Sequence, residues 1–316
     1  MTKPLTLAIV AAARPFVEPH LPTDIDVRWI GNVADAIAHA PGAEIGWLDL
    51  FPITDIAAAV TAAADVVWLN TMFAGIDLLP AALLKARGTV LTNGSGVHSV
   101  AVSEYAVMGM LALAKYLPDV VRAHDRREWL ATRPAFNLAG SRALIVGYGS
   151  IGRAIADRLR GFGVDITGVR RTPDGEPDVI GIDAWRERLG EFDWVILAAP
   201  GTGDTRQMIG AVELAAMKPG ARLVNIARGS LVDQDALIAA LGEGRIAGAF
   251  LDTVDPEPLP PEHPLWQAPN TLITMHLSGR SQTGQFERAS AQFLANLERW
   301  RAGEPLANRV DFAHGY

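Results

Sequence analysis

Apolar positions along the chain cluster into short runs separated by stretches with helical spacing, the pattern of an open α/β architecture. Leu5–Val10, Val27–Ile30, Ile45–Leu48, Val66–Leu69 and Val90–Leu91 are short and bounded by turn residues, so they predict buried strands, with helical spacing between them as over Ile53–Ala64. A second series predicts strands at Ala143–Val146, Asp165–Val169, Trp194–Ala198, Arg222–Ile226, Ile246–Leu251 and Thr271–Thr274. Six strands with intervening helices make a Rossmann-sized domain. Val100–Leu117 is apolar but interrupted by Ser103 and Glu104 and closed by Pro118, so it predicts a long helix crossing between two lobes rather than a membrane span. Gln282–Arg301 spaces Phe286, Phe293, Leu294, Leu297 and Trp300 along one face and stops at Gly303 and Pro305. That spacing predicts an amphipathic helix returning to the first lobe. The expected fold class is α/β, with two open doubly wound parallel-sheet domains, the larger a Rossmann dinucleotide-binding domain.

Composition narrows the partners. With 316 residues, 49% hydrophobic and 20% charged, the chain can bury the cores of about two domains. A formal net charge of -7 without a long basic run argues against nucleic acid as a partner. The absence of cysteine removes disulfides, thiolate nucleophiles and Cys-ligated zinc, and no metal site is expected. Leu5–Ala13, closed by Arg14 and Pro15, does not resemble a signal peptide, and no segment offers about 18 continuous apolar residues. No membrane association is expected, and the cytoplasm is the expected location.

One short motif gives the first chemical lead. Gly147-Tyr148-Gly149-Ser150-Ile151-Gly152 follows an apolar run and precedes helical spacing at Ala154, Ile155 and Leu159. In that context the first glycine permits a tight turn and the second lets the backbone approach a pyrophosphate, which then faces the helix N-terminus. A ribose with a free 2′-hydroxyl calls for an acid at the end of the next strand, where this chain has Arg170, Arg171 and Thr172. Two guanidiniums and a hydroxyl suit a 2′-phosphate, so NADP(H) is preferred over NAD(H); the alternative is that these are solvated turn residues. Pro200 and Ala227, just past two further strands, are counted with the cofactor-binding set.

Three polar residues stand beyond strand ends, where ligands of open α/β sheets bind: Arg228, Glu257 and His276. This set suits reduction of a 2-keto acid. Arg228 can hold a carboxylate and polarise a ketone, while His276 supplies the proton as hydride arrives. A carboxylate at Glu257 would keep the imidazolium populated near neutral pH. Singly, each has a plainer role: Arg228 as a turn cap, Glu257 as an acid in a Pro-rich loop, His276 as a structural residue at a strand end.

The segments "NIARGSLVDQDAL", "GAFLDTVDPEPLPPEHPLWQAPNTLITMH" and "FLANLERWRAGEPLANRVD" resemble signature blocks of the D-2-hydroxyacid dehydrogenase family, and "TNGSGVHSVAVSEYAVMGMLALAK" resembles its interdomain helix. The resemblance implies a discontinuous substrate-binding domain, flavodoxin-like, from residues 1–98 and 284–316, with a Rossmann domain at 99–283 between them. It implies homodimers built on the nucleotide-binding domain. The family's catalytic Arg, Glu and His fall on Arg228, Glu257 and His276. Asp252 matches an Asp that bonds the nicotinamide carboxamide, although an Asp at a strand end can equally cap its loop. The "FAGID" stretch resembles the loop whose backbone N–H groups, here Ala74 and Gly75, hold the substrate carboxylate. His98 and Trp47 are counted with the substrate pocket. Met275 replaces the usual Pro before the catalytic His, and Glu257 argues against activity on formate. Arg170-Arg171-Thr172 with "MFAGID" looks like the NADPH-dependent glyoxylate and hydroxypyruvate reductases. Two alternatives remain open: a nucleotide-sensing, corepressor-like binding protein on the same fold, and an NAD-dependent dehydrogenase for another D-2-hydroxy acid.

Overall fold

Parallel strand pairing organises both halves of the chain in the computed structural model, which describes residues 4–131, 135–173, 175–280 and 284–314. The first half contributes β1 (Leu5–Val10), β2 (Ile25–Ile30), β3 (Ile45–Trp47), β4 (Trp68–Asn70) and β5 (Val90–Thr92). They form a five-stranded sheet in the order β2-β1-β3-β4-β5, parallel throughout. This order is that of flavodoxin-like folds. β3 and β4 are buried along their whole length, which is why they read as apolar runs without alternation. The helix Gln285–Ala302 completes this unit. Its Phe293 stacks on Trp68 with ring centroids 5.4 Å apart and lies as close to Trp47, while Trp300 covers Trp68 at 5.7 Å. Trp47, Trp68 and Phe293 have no exposed surface, so this aromatic cluster ties the C-terminal helix to the N-terminal sheet.

The second half contributes β6 (Arg142–Val146), β7 (Asp165–Arg170), β8 (Val179–Gly181), β9 (Trp194–Leu197), β10 (Arg222–Asn225), β11 (Gly248–Leu251) and β12 (Thr271–Ile273). These pair in the order β12-β11-β10-β9-β6-β7-β8, all parallel, which is the Rossmann order with one strand added. The chain divides into two compact units, Met1–His98 with Ser281–Tyr316, and Ser99–Arg280. Both are parallel-sheet α/β domains.

The structure departs from the sequence pattern in four places. β8 is an edge strand with only Val179 buried, so it leaves no apolar run in the sequence and shows itself only by pairing with β7. The long helix expected over Val100–Leu117 is two helices, Ser99–Ala114 and Leu117–Arg126, bent by 66°. The break lies at Tyr116, whose φ is 54°, and Pro118 falls in the first turn of the second helix, where a missing N–H is harmless. The segment Ile53–Ala64 begins as a 3-10 turn, Ile53–Asp55, before the helix Ile56–Ala62. The C-terminal helix starts at Gln285 and closes on Gly303 in the left-handed region; Gln282 and Thr283, expected to begin it, lie outside the described residues. No single helix among the described residues is long and apolar enough to cross a membrane.

Ser99–Ala114 packs face-on to the second sheet because Gly109 carries no side chain: a Cβ there would sit 2.4 Å from the ring of Phe250 on β11. Phe250 is fully buried and has no room to yield. Gly109→Ala is therefore expected to destabilise the second unit by about 1–3 kcal/mol through overpacking. A thermal melt reads this as a lowered midpoint, and an unchanged midpoint would mean that the helix can lift from the sheet at no cost.

Candidate active site

Because the seven strands of the second sheet are parallel, their carboxyl ends share one edge. Gly147 follows β6, Pro200 lies beyond β9, Ala227 and Arg228 follow β10, Asp252 follows β11 and His276 lies past β12, while Arg170 ends β7. The topological switch falls between β6 and β9, where a ligand crevice opens in folds of this kind.

The glycine motif forms a cradle at that switch. Gly147 has φ +100°, and a Cβ on it would meet the Ala199 amide nitrogen at 2.3 Å. A Cβ on Gly152 would meet the Gly147 carbonyl oxygen at 2.4 Å, so the helix Ser150–Arg160 sits directly on the turn. A Cβ on Gly149, in contrast, would meet nothing within 4 Å. That open space adjoins the first-turn N–H groups of Ser150, Ile151 and Gly152, which have no acceptor within the helix. A dinucleotide pyrophosphate fits such a cradle. Pro200 is exposed, and its carbonyl accepts the Thr205 hydroxyl at 2.7 Å. Ala227 is buried, its N–H donating to Asn225 at 3.1 Å.

Beyond β7, Arg170 is half-buried, Arg171 approaches Asp204 at 3.7 Å, and Thr172 is exposed. Nearby, Arg153 holds Glu176 through two hydrogen bonds of 2.6 and 2.7 Å and stacks over Tyr148, whose hydroxyl accepts from Arg160. The hydrogen bond from Arg153, aided by the charges of Arg153, Arg170 and Arg160 against some desolvation, keeps the Glu176 carboxyl below its ordinary range.

On the other side of the switch, His276 Nδ1 lies 2.7 Å from Glu257 Oε2, and Glu257 Oε1 accepts the Val254 N–H at 3.2 Å. Burial pushes the Glu257 carboxyl up, but the hydrogen bond to His276, that ring's charge, the Val254 N–H and the Arg228 charge together take it below its ordinary value. Arg228 comes near because Gly229 has no Cβ: one would lie 1.9 Å from the Val254 carbonyl carbon, so the two loops touch backbone to backbone. The Arg228 guanidinium donates to the Ala227 carbonyl at 2.7 Å, and its stem passes over Gly201, where a Cβ would be 2.9 Å from Cγ. The structure thus gathers Arg228, Glu257 and His276.

Asp252 holds the loop that carries His276. Its buried carboxylate accepts the Thr274 hydroxyl at 2.9 Å, the Leu277 N–H at 2.9 Å and the Ser278 N–H at 3.2 Å, and its carbonyl accepts the His276 N–H at 2.6 Å. Met275 and His276 both have positive φ, 57° and 56°, so the loop is wound tightly around that carboxylate. Of the two roles open to Asp252 from sequence, these contacts belong to the loop cap.

In the first unit, Ala74 and Gly75 are half-buried on a loop after β4. Asn93 donates to the Ala74 carbonyl at 2.9 Å and the Gly94 N–H to the Phe73 carbonyl at 2.8 Å. Among the described residues, neither the Ala74 nor the Gly75 N–H donates to a protein acceptor. His98 is half-buried, with its ring stacked on Phe73 at 6.2 Å. Trp47 does not belong with them. It has no exposed surface, packs on Phe293 and donates its indole N–H to Asp49 at 2.8 Å, so the expectation that it lines a substrate pocket is corrected. Sequence reasoning missed Asp49, Asn93, Gly201 and Gly229. An acid inside the apolar run Ile45–Leu50 was a usable signal for the first.

Residues 107–278, more than half the chain, match the family model described as D-isomer specific 2-hydroxyacid dehydrogenase, NAD binding domain. The chain belongs to the D-isomer specific 2-hydroxyacid dehydrogenase family. It is 31% identical over 305 residues to a glycerate dehydrogenase of Methylorubrum extorquens, covering 93% of this chain and 94% of the relative. It is 37% identical over 241 residues to a glyoxylate reductase of Thermococcus gammatolerans, covering 73% and 72%. A solved NADPH-dependent glyoxylate/hydroxypyruvate reductase of Sinorhizobium meliloti, in complex with citrate, superposes with a TM-score of 0.76 at 26% identity, covering 97% of this chain and 98% of that one. As a member of this family of oxidoreductases, the chain carries an NAD-binding domain in its second unit.

The loop cap is directly testable. Asp252→Ala leaves the Thr274 hydroxyl and the Leu277 and Ser278 N–H groups without their acceptor. The expected cost is about 1–3 kcal/mol of unfolding free energy for a buried group left unsatisfied. Urea denaturation reads it, and an unaltered midpoint would show that water replaces the carboxylate.

Proposed function

We propose that this dehydrogenase reduces a small 2-keto acid of the glyoxylate/hydroxypyruvate class to the 2-hydroxy acid and prefers NADPH. The observation that carries the proposal is the 2.7 Å His276–Glu257 pair beside Arg228, on the same sheet edge as the glycine cradle. When bound, the reduced nicotinamide supplies the hydride. Nδ1 of His276 is held by Glu257, which leaves Nε2 to give its proton to the developing alkoxide. The Glu257 carboxylate orients the ring and faces the positive charge it carries before transfer. Arg228 anchors the substrate and polarises its ketone. The Ala74 and Gly75 N–H groups are two donors for the substrate carboxylate, with His98 beside them. Asp252 serves the chemistry by placing His276. Similarity to glyoxylate reductases and to a glyoxylate/hydroxypyruvate reductase supports this substrate class, and the NADPH dependence of the Sinorhizobium meliloti enzyme supports the cofactor. The basis in this chain for NADPH is the absence of an acid after β7, where Arg170, Arg171 and Thr172 stand. A homodimer through the second unit is part of the same reading, supported by exposed Met108, Leu117, Val120, Val121 and Phe162.

Steady-state oxidation of NADPH by glyoxylate and hydroxypyruvate tests the activity; no oxidation above the enzyme-free rate would overturn it. Replacing Arg170 and Arg171 with Ala removes charge-assisted hydrogen bonds to the 2′-phosphate worth about 1.5–3 kcal/mol each, so affinity for NADPH is expected to fall by about 10²-fold or more. NADH kinetics should stay near wild type. Equal use of both cofactors by the wild type would refute the assignment. His276→Ala is expected to lower turnover on the order of 10²-fold, while fluorescence titration shows NADPH still bound. Loss of NADPH binding instead would move His276 from the chemistry to the cofactor site. Sedimentation equilibrium should give twice the chain mass, and Val120→Glu with Val121→Glu should halve it; a wild type of single-chain mass rejects the dimer.

A further inference from the structure

Asp49 lies two residues past β3 in the first unit and is 1% exposed. No part of the chemistry proposed above uses it. Its carboxylate accepts three hydrogen bonds: from the Trp47 indole at 2.8 Å, the Thr71 hydroxyl at 2.8 Å and the Met72 N–H at 2.6 Å. The Thr71 hydroxyl in turn accepts the Phe73 N–H at 3.2 Å. Two consecutive links of the chain leading to Ala74 and Gly75 are therefore fixed from below, one directly and one through Thr71. Gly94 closes the arrangement from the other side, since a Cβ on it would lie 1.8 Å from the Met72 carbonyl oxygen. The anchor itself is rigid, because Trp47 is fully buried against Phe293.

Burying a carboxylate in this way is expensive, and desolvation outweighs the three donors, pushing its carboxyl up to about 6. A buried negative charge close to a loop that receives an anion also does not attract that anion. What the group offers is geometric: two acceptor oxygens that take donors from β3 and from two successive residues of the loop. We propose that Asp49, acting through Thr71 and Met72, is the positioning residue that sets the Phe73–Gly75 loop to receive the substrate carboxylate. The inference rests on the role given above to the Ala74 and Gly75 N–H groups.

The variants separate geometry from charge. Asp49→Ala removes all three acceptor contacts, and Thr71→Val removes one of them together with the acceptor for Phe73 without altering charge. Asp49→Asn keeps an oxygen for Trp47 and Met72 and an N–H for Thr71, whose hydroxyl turns from donor to acceptor. KM and kcat for glyoxylate, the dissociation constant for NADPH and exchange of the Met72 and Phe73 amides are measured on the full chain. Asp49→Ala and Thr71→Val are expected to raise KM by about tenfold or more with kcat and NADPH affinity nearly unchanged, the mark of lost substrate binding, and to speed exchange of those amides by about tenfold. Asp49→Asn should restore both. The proposal is overturned if Thr71→Val, or a folded Asp49→Ala, keeps wild-type KM and exchange, or if only the melting temperature moves. If the wild type reduces neither acid, the substrate reading fails, and protection of the Met72 and Phe73 amides alone decides whether Asp49 holds the loop.

Discussion

The segment that carries His276 is shaped around one buried carboxylate. Asp252 has no exposed surface and gathers the Thr274 hydroxyl and the Leu277 and Ser278 N–H groups, while its own carbonyl takes the His276 N–H. Positive φ at two successive non-glycine residues costs about 1–2 kcal/mol each, so such a turn persists only where its surroundings determine it. With the turn set, the imidazole meets Glu257, and Gly229 lets the Arg228 loop lie on the Val254–Asp255 backbone just ahead of Glu257. Remove the carboxylate, and three donors lose the acceptor around which those side chains are arranged.

The first unit repeats the device. Asp49 after β3 stands to the Met72–Gly75 loop as Asp252 after β11 stands to the His276 loop. In each case an acid just past a buried strand accepts hydrogen bonds from a neighbouring loop, the Thr71 hydroxyl and Met72 N–H at Asp49 and the Thr274 hydroxyl with the Leu277 and Ser278 N–H groups at Asp252. Burial makes the ionised form costly at Asp49, whose carboxyl is raised from 3.8 to about 6. The folded state therefore favours the proton, and the stability this group contributes below pH 4 is lost as pH rises through about 6. Near neutral pH the anion is kept at the expense of stability, in exchange for a loop tied to β3 by the Thr71 hydroxyl and the Met72 N–H.

Most of the architecture was legible because parallel strands buried on both faces read as apolar runs, and glycines at tight turns mark the cradle at residues 147–152. β8 was not, because its three residues owe their pairing to β7. Nor was the break at Tyr116, since an apolar segment shows no discontinuity where a single residue turns left-handed. At the site, the family blocks marked Arg228, Glu257 and His276, and the structure gathers them. Trp47 was misjudged because an aromatic residue at a strand end looks the same in sequence whether it faces a ligand or a core. Asp49 and Gly229 were passed over because what they do depends on residues far along the chain, Thr71 and Met72 for one and Val254 for the other.

The most direct measurement follows one atom. NADPH carrying deuterium at the transferable C4 position is incubated with the protein and glyoxylate, and the product is examined by NMR. A reductase that works through His276, Glu257 and Arg228 yields glycolate deuterated at C2 in step with NADP formed. A protein that binds NADPH tightly yet leaves the deuterium on the nicotinamide would contradict the catalytic reading and favour a nucleotide-sensing one.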